Sequence, residues 1–226
     1  MLYRSGGARI LGDAMVAFTF DDGPDPVGTP LVLDALDGAA VKATFFVVAE
    51  QIESDGGSAL LRQILDRGHA VQMHCGAHVP HPWLSLEGLR DDAQRIESAL
   101  AADGVEPSLW RPPYGRLSDF SCRAAAERGR QLILWTYSPS DWVGHSAAAM
   151  LQRADGRLYP DSVILLHDSR RYAPEYPQNV QPTAELIMPL AARIRDQGWE
   201  CVALTARFQA REQRTDEEPL LPCATA

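Results

Sequence analysis

Short apolar runs alternate with longer helix-like segments along most of the 226-residue chain. This alternation is typical of βα units, in which parallel strands are covered by helices. Several runs are apolar throughout, as expected of strands that are buried on both faces. The predicted strands lie at 15–20, 42–48, 69–74, 108–111, 131–136, 162–167 and 200–204, and the predicted helices near 29–38, 57–67, 86–103, 118–129, 146–154 and 181–197. Seven strands with helical crossovers favour an α/β fold whose sheet forms a single barrel.

Composition and charge limit the classes of partner. The chain is 46% hydrophobic and 23% charged, which is ordinary for a globular protein. Its net charge of -9 argues against a nucleic-acid partner or an anionic membrane, because either would need a concentrated positive face. No apolar stretch is as long as a membrane span, and no apolar leader-like segment precedes the first strand. We therefore expect a cytoplasmic protein without a membrane partner, and the sequence makes no prediction of its oligomeric state.

The cysteines and the C-terminal segment carry two further expectations. Cys75, Cys122, Cys201 and Cys223 are too far apart in the sequence for a zinc knuckle, so free thiols are expected. The segment 207–226 is charged and contains proline, so we expect it to lie outside the core. Residues 1–206 are then predicted to form one domain.

Polar residues at the ends of predicted strands mark a candidate site. Asp21 and Asp22 end the first strand, and His74, Arg111 and His167 end the third, fourth and sixth. In a parallel βα barrel these strand ends converge on one face, where catalytic groups collect. Consecutive side chains of a strand point to opposite faces, so the two aspartates can share a region but not one role. Five polar groups at one rim are hard to explain as scattered turns.

The stretch HCGAH, residues 74–78, carries two histidines four residues apart. Together with Asp22, His74 and His78 would offer a cation two nitrogens and one oxygen and leave positions open for water. That donor set is typical of a catalytic rather than a structural zinc site. His81, three residues further on, is interpreted as a loop residue, and Cys75 is expected to point away from His74.

The same donor set also describes the facial triad of non-haem iron oxygenases. An oxygenase is therefore the rival enzyme hypothesis at this point. It gives no role to Asp21, Arg111 or His167, whereas a hydrolase needs groups that move protons. A carbohydrate-binding barrel without activity is a third hypothesis.

The chain resembles the polysaccharide deacetylases, the NodB-homology domain of carbohydrate esterase family 4, over about residues 15–205. It carries five motifs in the order of that family: TFDDG at 19–23, HCGAH at 74–78, RPPYG at 111–115, SDW at 140–142 and LLH at 165–167. The resemblance implies a distorted (β/α)7 barrel, similar to a TIM barrel. It also implies that 1–206 is the catalytic domain and 207–226 a charged tail.

The resemblance carries roles for ten residues. It implies that Asp21 is the general base, oriented by Arg111, and that His167 is the general acid, tuned by Asp141. It implies that a divalent metal is held by Asp22, His74 and His78. Substrate contacts are implied for the Tyr114 backbone N–H, in an oxyanion hole, and for Trp142 and Leu165, in the walls of an acyl pocket. One departure is Cys75, which stands where the family usually has Ser or Thr and is a weaker hydrogen-bond partner for that loop.

These roles imply a metal-dependent hydrolase that removes an acetyl group from the nitrogen of an N-acetylated amino sugar or a related N-acyl compound. Zinc is the expected metal, with Co²⁺, Mn²⁺ or Ni²⁺ as alternatives. A deacylase of a small non-sugar metabolite and an O-acetyl esterase are open alternatives on the same fold. The loops carry no readable substrate code, and we expect a soluble acylated compound to be at least as good a substrate as an insoluble polymer.

Overall fold

The computed structural model describes residue 11 and residues 14–204. Its strands are β1 (Met15–Asp21), β2 (Thr44–Val48), β3 (Ala70–Cys75), β4 (Leu109–Trp110), β5 (Gln131–Leu132), β6 (Ser162–His167) and β7 (Glu200–Val202). Its α-helices are α1 (Gly28–Gly38), α2 (Ala49–Ile52), α3 (Gly57–Asp66), α4 (Leu86–Ala101), α5 (Asp119–Glu127), α6 (Ala147–Arg153) and α7 (Gln181–Asp196), and 3₁₀ turns span His81–Trp83, Pro113–Gly115 and Asp141–Val143. Every predicted strand and helix corresponds to one of these elements, and α2 was not predicted. The tail at 207–226 lies outside the described residues, so the division of the chain there stays a prediction.

Local sequence explains where helices begin and which face they bury. The Ser85 side chain accepts a hydrogen bond from the backbone N–H of Gly88 at 3.1 Å and so caps the start of α4. The buried residues of α4 recur at three- and four-residue spacing, as on the apolar stripe of a helix that covers a sheet: Leu89, Ala93, Ile96 and Leu100.

Over the residues that the structure describes, no helix combines the length and apolarity that a membrane crossing needs.

The sheet closes into a barrel through the chain that follows β5. All strand pairings are parallel, in the order β5-β4-β3-β2-β1-β6. Beyond β5 the chain leaves β4, and Tyr137 forms a parallel bridge with Ile164 of β6. The N–H of Leu165 donates to the Tyr137 carbonyl at 2.9 Å, and the N–H of Tyr137 donates to the Val163 carbonyl at 3.2 Å. The predicted strand at 131–136 is thus divided between two partners, and the predicted distorted barrel is confirmed.

The seventh strand is a source of the distortion. β6 pairs with β1 along Val16–Asp21, so it occupies one whole edge of β1. On the other edge β7 pairs with Met15–Ala17 and β2 pairs with Thr19–Asp21. A regularly wound barrel would place the last strand between β6 and β1. Here β7 instead shares an edge with β2, at the start of β1 and away from the strand ends that form the site.

Alternation along β1 divides its side chains between two apolar regions. Val16, Phe18 and Phe20 belong to the main core beneath the helices, whereas Ala17 belongs to a smaller cluster inside the barrel. The members of that smaller cluster are Leu11, Ala17, Phe46, Leu109, Ile133, Val163 and Leu204. Asp21 follows Ala17 on the same face, toward the carboxyl end of the strand. The polar residues of the candidate site therefore stand above an apolar floor.

Cysteine chemistry differs from expectation at one position. Cys122, on α5, is disulfide-bonded, so the prediction of four free thiols is wrong there. Cys75 and Cys201 are free, and Cys223 lies outside the described residues. The spacing of cysteines in the sequence did not reveal this bond, because a disulfide requires only that two Cα atoms come within about 7 Å in the fold.

Candidate active site

Three of the predicted site residues, Asp22, His74 and His78, converge at the C-terminal mouth of the barrel. One potential ligand atom from each lies within 4.8 Å of the other two. The Asp22 Oδ1 lies 3.3 Å from the Nε2 of His74 and 3.1 Å from the Nε2 of His78. These three side chains are almost completely buried. The structure thus brings together the residues that the sequence predicted as metal ligands.

Two irregularities of the backbone aim these side chains. Asp22 follows β1 with a φ of 82°, in the left-handed region that is uncommon for residues with a side chain. This conformation ends the strand alternation, so Asp22 lines the same cavity as Asp21. His74 lies at the end of β3, where the register with β2 shifts between Val47 and Val48. A bulge of this kind re-aims a side chain and is common next to active sites.

The donor set of the three residues fits a divalent cation. His74 donates its Nδ1–H to the carbonyl of Arg111 at 2.6 Å, so Nε2 is the ring nitrogen that faces Asp22. The buried Asp22 Oδ1 receives no hydrogen bond from the described residues beyond these imidazole contacts. Burial opposes ionisation of Asp22, but His74 and His78 outweigh it and hold the pKa of that carboxyl well below its usual range. Two nitrogens and one ionised oxygen facing one another suit Zn²⁺ or a similar ion.

Asp21 is paired with Arg111, whose side chain is completely buried. One guanidinium nitrogen donates to the Asp21 Oδ1 at 2.7 Å and to the Thr19 hydroxyl at 2.7 Å. The other terminal nitrogen donates to the Leu134 carbonyl at 3.1 Å, and the guanidinium carbon lies 4.0 Å from the centre of the Phe46 ring. These contacts on several sides fix the guanidinium of Arg111 beside the carboxylate of Asp21.

His167 is paired with Asp141 at the end of β6. The ring Nδ1–H donates to the Asp141 Oδ1 at 2.9 Å, and the backbone N–H of His167 donates to the Asp141 Oδ2 at 2.9 Å. Burial opposes protonation of the imidazole, but the charge and hydrogen bond of Asp141 outweigh it and raise the pKa of His167 to about 8. His167 therefore keeps its proton at neutral pH, with Nε2–H available as a donor.

Two residues that the sequence did not predict support Asp141. Arg170 donates to the Asp141 backbone carbonyl at 2.9 Å and pairs with Oδ2 at 3.2 Å, and Thr183 donates to Oδ2 at 3.0 Å. Burial opposes ionisation of Asp141, but His167 and Arg170 outweigh it and lower the pKa of the carboxyl. The negative charge beside His167 is thus held in place from three directions.

A cavity of about 340 Å³ joins the metal-ligand cluster to the His167 side of the site. Asp21 and His167 line it together with the three predicted substrate contacts, Tyr114, Trp142 and Leu165. Trp142 meets the His167 ring edge-on at 5.3 Å, and Leu165 lies two residues before His167 on the same face of β6. The structure therefore brings all ten predicted site residues to one cavity or to the residues that line it.

The walls of the cavity also contain side chains that sequence reasoning missed. Trp135 lies after β5, and Ser169, Arg170 and Tyr172 follow β6. Tyr172 stacks on His78 with ring centres 4.2 Å apart and ring planes 15° apart. For Ser169, Arg170 and Tyr172 the one signal in the sequence was their position directly after a strand that ends in a site histidine.

Two side chains near the histidine loop lie outside the metal-ligand cluster. His81 is completely buried, contacts the edge of Trp110 and lies 3.0 Å from the Ser121 hydroxyl. Burial lowers its pKa to about 3, so the ring is neutral. Cys75 is buried, and burial raises the pKa of its thiol well above the usual value. In the described residues neither belongs to the cluster of Asp22, His74 and His78.

Comparison with known proteins agrees with this geometry. The family model for polysaccharide deacetylase matches residues 9–133, more than half of the chain. A peptidoglycan-N-acetylglucosamine deacetylase of Bacillus cereus is 30% identical over 202 residues, which cover 89% of this chain and 70% of that protein. A chitooligosaccharide deacetylase of Sinorhizobium fredii is 35% identical over 162 residues, 70% of this chain and 73% of that protein.

The fold is similar as well. A crystal structure of a peptidoglycan N-acetylglucosamine deacetylase, in complex with 4-naphthalen-1-yl-N-oxidanyl-benzamide, superposes with a TM-score of 0.79. The two chains are 30% identical, and the match covers 87% of this chain and 89% of the other. By the family model, the identity to these relatives and the shared fold, the chain belongs to the polysaccharide deacetylase family.

Proposed function

We propose that this protein is a metal-dependent N-deacetylase of acetylated amino sugars. The observation that carries the proposal is the presence, in one cavity, of a metal-type donor set, a carboxylate held by a buried arginine and an imidazole kept protonated by a carboxylate. Hydrolysis of an amide needs each of these: activation of water, a base and an acid.

The substrate class is supported by the relatives. The two curated relatives described above are named as deacetylases of peptidoglycan N-acetylglucosamine and of chitooligosaccharide. Both substrates contain N-acetylated glucosamine units, so we propose an N-acetylglucosamine-containing oligosaccharide or polymer as the substrate of this chain. The expectation that a short soluble compound is at least as good as an insoluble polymer stays a prediction.

The proposal assigns Asp22, His74 and His78 as the metal ligands and the neighbouring Asp21 as the general base. A divalent cation bound there would acidify a water molecule and polarise the acyl carbonyl. Asp21, held in position by Arg111, accepts the proton that the attacking water loses. Arg111 donates to the Oδ1 of Asp21, and Asp21 lines the cavity.

On the acid side, the proposal assigns proton donation to His167. The scissile C–N bond breaks as the amine nitrogen takes the proton from Nε2, because an unprotonated amine is a very poor leaving group. The new C–O bond comes from water, so the products are a free amine and acetate. Asp141 favours the protonated imidazole before the step, and Arg170 and Thr183 hold Asp141 in position.

The remaining predicted residues shape the acyl pocket in this proposal. Tyr114 has a φ of 57°, a left-handed turn within the RPPYG motif, and we propose that its backbone N–H stabilises the oxyanion. Trp142 and Leu165 present apolar surface beside His167, where a methyl group of an acetyl substituent could be buried.

The rival hypotheses explain less of the site. An iron oxygenase would use the donor set but would leave the Asp21–Arg111 and His167–Asp141 pairs without a role. An inactive sugar-binding barrel would need none of the buried charges that the fold keeps at this mouth. The cytoplasmic location stays a prediction.

A product assay tests the proposed function. Purified protein loaded with zinc would be given N-acetylglucosamine, short and long chitooligosaccharides, peptidoglycan fragments, an O-acetylated sugar and an acetylated amino acid. We expect equal amounts of acetate and free amine from the glucosamine oligomers, and release at least about a hundredfold slower by a matched Asp21→Asn protein. Release of acetate only from the O-acetylated sugar, or iron-dependent oxygen uptake with a keto acid, would contradict the proposal.

A further inference from the structure

His78 is held differently from the other histidine of the cluster. Metal-binding histidines generally use their second ring nitrogen for a hydrogen bond that fixes the orientation of the ring. His74 makes such a bond, from Nδ1–H to the Arg111 carbonyl at 2.6 Å. The Nδ1 of His78 is buried and has no hydrogen-bond partner in the part of the chain that the structure describes. Other contacts must therefore orient the His78 ring.

Two tyrosine rings supply those contacts. Tyr172 stacks on one face of His78, at 4.2 Å between ring centres and 15° between planes. Tyr114 meets the ring edge-on at 4.6 Å and 68°. Tyr114 is 55% exposed, so the stacked face against Tyr172 is the more restrained of the two contacts.

The Tyr172 ring is itself anchored. Its hydroxyl accepts a hydrogen bond from the Nε2 of Gln51 at 3.0 Å, and Gln51 is only 3% exposed. The hydroxyl also donates to Glu50 at 3.4 Å. The backbone N–H of Glu50 in turn donates to the Gly76 carbonyl, within the loop that carries His78, at 3.3 Å. Helix α2 therefore fixes the position of the tyrosine relative to the histidine loop.

We propose that Tyr172 is a positioning residue for His78, with the stacked ring taking the place of the missing hydrogen bond at Nδ1. The inference rests on the proposed metal-dependent function, because it concerns a ligand of that metal. Removing the ring frees rotation of His78 about its side-chain bonds, so one of three ligands is no longer pre-aligned. The consequence is weaker metal binding, without any change in the ligands themselves.

Metal affinity of the purified protein tests this inference. Metal-free wild type, Tyr172→Phe and Tyr172→Leu would be titrated with Zn²⁺ in competition with a chromophoric chelator. We expect Tyr172→Leu to bind zinc about tenfold more weakly, the lower end of the effect of losing a partner that orients a ligand. Tyr172→Phe keeps the stacked ring but loses the hydroxyl bonds to Gln51 and Glu50, so we expect a smaller loss, of about twofold. The visible spectrum of bound Co²⁺ should change more in the leucine variant than in the phenylalanine variant.

Tyr176→Leu is the matched control. Tyr176 belongs to the same loop, and over the described residues its ring makes no stacking contact with His78. We expect this variant to bind zinc as wild type does. Wild-type affinity in Tyr172→Leu, equal losses in Tyr172→Phe and Tyr172→Leu, or a melting temperature of metal-free Tyr172→Leu far below that of Tyr172→Phe would each overturn the inference. A wild-type protein that binds no divalent metal would instead overturn the proposed function.

Discussion

His167 and Asp141 are joined by two hydrogen bonds, one from the ring Nδ1–H and one from the backbone N–H, each 2.9 Å long and each to a different carboxylate oxygen. The pair fixes both the direction and the protonation of the imidazole. Burial opposes protonation, but Asp141 outweighs it and places the pKa of His167 at about 8. The proposed acid is therefore matched to work near neutral pH.

Removing the charge of Asp141 should move the alkaline limit of activity. In Asp141→Asn the imidazole loses its negative partner while burial remains, so the pKa of His167 should fall. We expect the midpoint of the alkaline limb of kcat against pH to shift down by about 1.5 units, the difference between about 8 and the ordinary 6.5. An unchanged limb in this variant would show that His167 is not the titrating acid.

Removing the positive charge of Arg170 should move the alkaline limit of activity in the opposite direction, to higher pH. The guanidinium shares the Asp141 carboxylate with His167, so Arg170→Met leaves more of the negative charge to the imidazole. The pKa of His167 should rise, and the alkaline limb should move to higher pH while the maximum rate falls. Arg170→Lys, which keeps a positive charge, serves as the control for charge. A downward shift in Arg170→Met would contradict the arrangement.

The same pair should make folding stability depend on pH. The pKa of folded His167 lies above the unfolded value of 6.5, so its contribution is complete below that value and is lost as pH rises through about 8. A shift of this size corresponds to about 2 kcal/mol of the free energy of unfolding. Urea unfolding of metal-free protein between pH 6 and 9 should show this loss in wild type. The slope should be smaller in His167→Gln, where the contributions of His74 and Asp168, whose pKa values are also raised, remain.

The metal assignment predicts a difference between two neighbouring histidines. His78→Ala should lose bound zinc, since it removes one of three donors, and Asp22→Ala and His74→Ala should do the same. His81→Gln should keep a full equivalent of zinc, because His81 is neutral and packs against Trp110. Elemental analysis of the folded fraction of each variant is the measurement. Zinc lost from His81→Gln with the cluster intact would refute the ligand set.

Asp21→Asn should separate metal binding from turnover. An amide cannot take the water proton, so we expect a rate loss of about 10²- to 10⁴-fold, the usual contribution of a general base. Zinc content should stay at the wild-type level, because the ligands are Asp22, His74 and His78. A variant that turns over at nearly the normal rate would remove Asp21 from the proposed mechanism.

Much of this site was accessible from the sequence because strand ends are regular. Side chains alternate between the two faces of a strand, and the carboxyl ends of parallel strands meet at one mouth of a barrel. These two rules are enough to bring Asp21, His74 and His167 together. The alternation would have separated Asp22 from Asp21, however. It is the positive φ of Asp22 that returns both carboxylates to one cavity, and no residue pattern announced that conformation.

Other features depend on contacts between distant segments. The bridge of Tyr137 to Ile164 and the insertion of β7 beside β2 are choices of pairing partner, which the apolar pattern of a strand does not specify. Arg170 and Tyr172 lie in a loop of polar and aromatic residues without periodicity. Their roles appear only when α2 and the Asp141 turn are packed beside that loop.

The five residues after the β6 strand also set a boundary for loop engineering. Arg170 supports the Asp141 side of the cavity, and Tyr172, two positions later, stacks on the histidine at the opposite side. A graft that replaced the loop from position 168 onward would disturb both halves of the site at once. Exchange of positions 173–179 keeps both supports and leaves Thr183, which also holds Asp141, in place. Libraries that aim to alter substrate choice can therefore vary that segment.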